Sequence, residues 1–80
     1  MSVLKELVEC VAKKLVDNPE AVKVNVAEGE RTVVIELSVD PKDLGKVIGR
    51  EGKTAKALRT LLSAAANRLN KKAILEIIEK

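Results

Sequence analysis

Near the start of the chain Val3, Leu4, Leu7, Val8, Val11 and Leu15 recur at helical spacing, which predicts an amphipathic helix over residues 2–16. Lys13 and Lys14 suit its negative C-terminal end, and Asp17-Asn18-Pro19 stops it. The period then changes to two. Val22, Val24 and Val26 alternate with Lys23 and Asn25. After a turn at Glu28-Gly29-Glu30, Val33, Ile35, Leu37 and Val39 alternate with Thr32, Val34, Glu36 and Ser38. Both segments read as strands with one buried face, joined as a hairpin. Asp40-Pro41-Lys42-Asp43 is a helix start, with Asp40 as N-cap, Pro41 at the first helical position and Asp43 reaching back as in a capping box. That helix is short and runs into Ile48-Gly49. The longest helical pattern covers residues 53–69, with Ala55, Leu58, Leu62, Ala65, Ala66 and Leu69 as its core stripe. Asn70-Lys71-Lys72 ends it, and residues 73–78 read as a last strand.

The order is α-β-β-α-α-β, an α+β fold in a single domain over residues 1–80. A helical crossover between the second and third strands predicts that they lie parallel. Together with the hairpin this gives a three-stranded mixed sheet with three helices on one face. No repeat, linker or low-complexity tract interrupts it.

The 80 residues are 46% hydrophobic, almost all Val, Leu, Ile and Ala, so a packed core is feasible without disulfides. Cys10 is the single cysteine and the chain has no histidine, which excludes an internal bridge and a zinc site. No metal or other cofactor is expected. Cys10 lies at the edge of the first apolar stripe without an activating base and reads as a small core filler. The carboxylates are scattered along charged faces, so no catalytic residue is expected and the chain reads as no enzyme. A reducing, cytoplasmic location is the natural expectation. No apolar run approaches the ~18 residues of a membrane span, so no membrane partner is expected.

Net charge is +3, and its distribution is uneven. Residues 42–59 hold six basic groups (Lys42, Lys46, Arg50, Lys53, Lys56, Arg59) against two acidic ones, a balance of +4. The remaining nine basic and ten acidic residues balance to −1. The excess surrounds Gly49-Arg50-Glu51-Gly52, where two glycines three apart permit a tight turn and close approach of a ligand to the main chain. The N–H groups that open the following helix favour an anion there, and Arg50 and Lys53 add mobile positive charge. A phosphodiester backbone suits that combination. Gly52-Lys53-Thr54 does not complete a P-loop, because residue 47 is a valine where the motif needs glycine. The chain also lacks Phe, Tyr and Trp, so it cannot hold bases by aromatic stacking. A GXXG backbone clamp is the RNA-binding device left open to it.

The run from Lys46 to Thr60, KVIGREGKTAKALRT, resembles the small bacterial KH proteins of the KhpA family, as do Asp17-Asn18-Pro19-Glu20 and Asp40-Pro41-Lys42-Asp43-Leu44-Gly45. The similarity spans essentially the whole chain and implies a type II KH domain. It further implies a non-enzymatic single-stranded RNA-binding protein, a post-transcriptional regulator or RNA chaperone. Gly49 to Gly52 would carry the clamp, with Lys46, Arg50, Lys53 and Lys56 supplying charge. Ile48 would line one wall of the groove and the second strand, Thr32 to Val39, the other. Glu51 is acidic, and Thr54 is polar where many KH domains keep an aliphatic residue, so the expected binding is weak and of low specificity. The same resemblance implies pairing, as a homodimer or as a heterodimer with a larger KH-containing RNA-binding protein. Two alternatives stay open: a dimerising interaction module, or a ribosome-associated assembly factor, with incidental RNA contact. Ala57, Leu61 and Ala64 widen the apolar arc of the long helix beyond what one sheet requires. They are either ordinary exposed residues or a helix-to-helix contact centred on Leu61.

Overall fold

The two alternating segments form the layer on which the rest packs. In the computed structural model, which describes residues 2–79, β1 (Lys23–Glu28) pairs antiparallel with β2 (Thr32–Val39), placing Val24 opposite Leu37 and Val26 opposite Ile35. The hairpin is closed by the Gly29 N–H donating to the Thr32 carbonyl at 2.7 Å. β3 (Lys72–Glu79) joins the other side of β2 in parallel, with Leu75 opposite Ile35 and Ile77 opposite Leu37. The sheet order is β1-β2-β3, the mixed sheet that the crossover predicts.

Period two puts Val33, Ile35, Leu37 and Val39 on one face of β2, and all four are fully buried. Against them pack α1 (Ser2–Leu15), α2 (Leu44–Ile48) and α3 (Lys53–Asn67) through Leu4, Val8, Ala12, Val47, Leu58, Leu62 and Ala66. Fully burying one such Leu or Val contributes roughly 1.5–3 kcal/mol, so a core of this kind can hold a small domain without a crosslink. Among the described residues no helix is long and apolar enough to cross a membrane.

The structure departs from the pattern at identifiable places. Val3 is 68% exposed and Cys10 is exposed, because both lie more than about 100° around α1 from the Leu4–Val8–Ala12 row. Ala12 takes the core position, and Cys10 is no core filler. Leu69, assigned to the core stripe of the long helix, is 46% exposed. α3 ends at Asn67, and the chain turns through Asn70, whose φ is 59°. The Lys71 N–H reaches the Ala66 carbonyl at 3.0 Å and the Asn70 N–H the Asn67 carbonyl, a Schellman closure that swings Leu69 away from the sheet.

Lys71 also ties this turn to the hairpin. Its ammonium is bonded to the Glu28 carboxylate and donates to the Gly29 carbonyl at 3.0 Å. The hydrogen bond from Lys71 holds the Glu28 carboxyl well below the usual range, at about 2. A depressed carboxyl pKa gives stability that is present in full above the unfolded value of 4.5 and is lost as pH falls through about 2. Acid titration of thermal stability should therefore show a loss between those limits that is diminished in Lys71→Met. A parent and variant with superimposable acid limbs would contradict the pairing.

Candidate nucleic-acid interface

The glycine turn is positioned by a buried carboxylate before it and a threonine after it. Pro41–Asp43 form a single 3-10 turn, capped by Asp40, whose side chain accepts from the Lys42 N–H at 3.0 Å. Asp43 itself does not act in a capping box. Its side chain is directed across the fold, where one oxygen accepts from the Asp17 N–H at 3.2 Å and the other from the Asn18 N–H at 3.1 Å. Burial at 3% exposure makes that pairing necessary, since an unpaired carboxylate there would be costly. The Asn18 side-chain amide adds a bond to Asp40, and the Lys46 ammonium engages Asp17 and lies 3.8 Å from Asp43. The bond to Asp17 raises the Lys46 pKa. The end of α1 and the start of α2 are thus clasped together.

α2 closes with the Gly49 N–H on the Gly45 carbonyl at 2.8 Å, and the backbone then turns through three residues with positive φ. Gly49 lies at φ 79°, Glu51 at 57° and Gly52 at 74°. At Gly49 a side chain is excluded twice over. An added Cβ would come within 2.2 Å of the Thr54 Oγ1 and 2.8 Å of the Thr54 backbone nitrogen. Thr54 therefore braces the turn from the first turn of α3, a role its place in the sequence did not disclose. Gly52 has open space around it, so only its backbone angle calls for glycine. Glu51 adopts the left-handed region without being glycine, which costs of order 1 kcal/mol. No side chain caps the start of α3; the Gly52 N–H donates to the Gly49 carbonyl at 3.1 Å and the Lys53 N–H to the Arg50 carbonyl, so the turn satisfies these two donors itself.

Around this turn the structure gathers Ile48, Gly49, Arg50, Glu51, Gly52, Lys53 and Lys56. Ile48 is about a third exposed at the end of α2. Arg50, Lys53 and Lys56 are exposed, and among the described residues none of them forms an ion pair. Lys46 is placed differently, its ammonium held by Asp17. The second strand is also differently placed from the expected groove wall. β2 is the central strand, β1 and β3 are the two edges, and β3 is the edge beside α3. A strand paired on both sides has no free backbone to offer. Elsewhere on α3, Ala57, Leu61 and Ala64 are exposed, Leu61 at 54%, and Val3, Leu4, Ala65, Arg68 and Leu69 line an adjoining groove of about 300 Å³.

An α-β-β-α-α-β chain with a GxxG turn between its second and third helices has the architecture of a type II KH domain. The family model described as KhpA/KhpB, KH domain, matches residues 5–77. The chain is 57% identical to the RNA-binding protein KhpA of Aquifex aeolicus (strain VF5), over 99% of this chain and all of that one. It is 56% identical to the RNA-binding protein KhpA of Clostridium perfringens, over 94% of this chain and all of the relative. It is 49% identical to that of Borreliella burgdorferi, over 92% and 90% of the two chains. The chain belongs to the KhpA/KhpB family of KH domains.

The two glycines should differ under substitution. Gly49→Ala meets both a forbidden angle and the Thr54 side chain and backbone, and should lower the melting temperature by roughly 10 °C or more. Gly52→Ala meets the angle alone and should lose roughly 4–8 °C. Thermal unfolding followed by circular dichroism separates the two, and equal losses would remove Thr54 from its bracing role.

Proposed function

We propose that this chain is a non-enzymatic single-stranded RNA-binding protein that grips the phosphodiester backbone with the Gly49–Gly52 turn, acting as a post-transcriptional regulator or RNA chaperone. The observation that carries this is the triple positive-φ turn opening into an uncapped helix, with Arg50, Lys53 and Lys56 unengaged beside it. Main-chain N–H groups and mobile cations suit phosphate oxygens and carry no sequence code. Its family relatives are named RNA-binding proteins, which supports the same ligand. Ile48 forms the apolar wall, and the open edge of β3 supplies backbone donors and acceptors opposite it. Lys46 serves as a tether for α2. Affinity for a single domain should be about micromolar or weaker, with the shallow salt dependence of roughly two to four neutralised phosphates.

Titration with short RNA and DNA single strands and a matched duplex tests this. Arg50→Asp should abolish binding with helicity and melting temperature nearly unchanged, because its side chain lies outside the core. Glu51→Lys should tighten binding roughly two- to fivefold by removing a like charge from the phosphate path. Unchanged affinity in both variants, or a preference for duplex, would reduce the loop to a simple turn.

A second reading has its own support. Ala57, Leu61 and Ala64 form an exposed apolar row on α3, contiguous with the groove that Val3 and Leu69 flank. This suits close helix-to-helix pairing, with a second copy or with another KH-containing chain, and two joined clamps would raise the affinity for a longer strand. Leu61→Arg should give a folded monomer with reduced binding to long RNA. Sedimentation of the parent as a monomer at high micromolar concentration would refute self-association.

A further inference from the structure

Beyond the glycine turn the molecule carries a second cationic feature, at the opposite end of α3. A cavity of about 420 Å³ opens there between the last turns of α3 and the start of β3, lined by Arg31, Ser63, Asn67, Asn70, Lys71 and Lys72. No carboxylate lines it. Lys71 is answered by Glu28, but among the described residues Arg31 and Lys72 form no ion pair. The Lys72 N–H donates to the Arg31 carbonyl at 2.8 Å, which ties the entry of β2 to the start of β3 at the cavity. Two exposed cations without a carboxylate partner are left for an anion that enters the cavity. The cations are not needed to cap α3, because the N–H groups of Leu69, Asn70 and Lys71 already take the Ala66 and Asn67 carbonyls. Neutral donors complete the site, in the Ser63 hydroxyl and the Asn67 and Asn70 amides.

The path between the two sites is polar. Lys56, Arg59, Ser63 and Asn67 follow one another at three- and four-residue spacing, so they form one row along α3, and all four are exposed. The row runs from the first turn of the helix to the cavity, over a helix about 20 Å long. Resting on the RNA-binding reading above, we propose that the Arg31–Lys72 cavity is a second phosphate site, which takes a downstream phosphodiester of the same strand gripped by the glycine turn. The strand follows the Lys56–Asn67 row, so the binding site is longer than the four nucleotides that a GXXG clamp holds.

The test compares a tetramer and an octamer of uridine on the parent chain and on Arg31→Gln/Lys72→Gln. Both replaced side chains are exposed, and each single substitution carries the same readout should the pair fail to fold. The double variant should bind the tetramer as the parent does and lose about tenfold in octamer affinity. Its octamer salt slope should fall by about one. Amide shifts locate the contact: the tetramer should move the clamp, residues 48–56, and leave Ser63, Asn67 and Lys72 unmoved, and the octamer should move these three as well. An octamer affinity untouched by the substitutions would overturn the proposal, as would an equal loss for both lengths. Inorganic phosphate is the control for a free-anion site. If it moves the cavity amides while the octamer adds nothing, the strand assignment falls. Silent residues 48–56 with both oligomers would instead count against the clamp, whereas silent cavity amides beside a responsive clamp defeat this inference alone.

Discussion

Asp43 stands at the junction on which the site's placement depends. Its two carboxylate oxygens take the main-chain N–H groups of Asp17 and Asn18, residues more than twenty positions away, and the Lys46 ammonium lies nearby. A charge at 3% exposure is tolerable only with such partners. Removing one side of the arrangement would leave donors unpaired at roughly 1–3 kcal/mol each, a sizeable part of the stability of a small domain. The carboxylate fixes where α2 begins, and α2 is only five residues long. An error at its start would pass almost undamped to the glycine turn at its end.

The turn is in that sense held from both sides. Upstream it inherits the position of α2 from the Asp43 clasp, and downstream Thr54 fills the space over Gly49. Glu51 is kept in the left-handed region between two glycines that share its sign of φ. Strain of this kind persists only where neighbouring structure enforces it.

How much of this was legible in the sequence differs by element. The β-strands were, because Val33 to Val39 and Val22 to Val26 alternate without interruption and a one-residue slip would expose every one of their core valines. The parallel placement of β3 followed from the crossover. The glycine turn and its cations were legible as a motif with a charge excess. Positions at helix margins were not: Val3, Cys10 and Leu69 are apolar or small, but composition does not say where a helix axis is rotated or where it ends. Asp43 was read locally, as a cap for its own helix, because sequence spacing shows neighbours along the chain and hides Asp17 and Asn18. Thr54 was read as a weak point of the groove, when its contact with Gly49 exists only once the turn has folded. The strand order that puts β3 at the edge beside α3 likewise follows from packing.

The parallel pairing of β2 with β3 has a kinetic consequence. The strands are joined by the whole stretch from residue 40 to residue 71, so their ladder forms only after a long loop has closed, at an entropic cost that grows with its length. Collapse of α2, the glycine turn and α3 into one unit shortens that loop before the strands meet. The glycine turn lies within the crossover whose effective length sets that closure cost. Until the crossover closes, the β2 edge is unpaired and open to association with another chain.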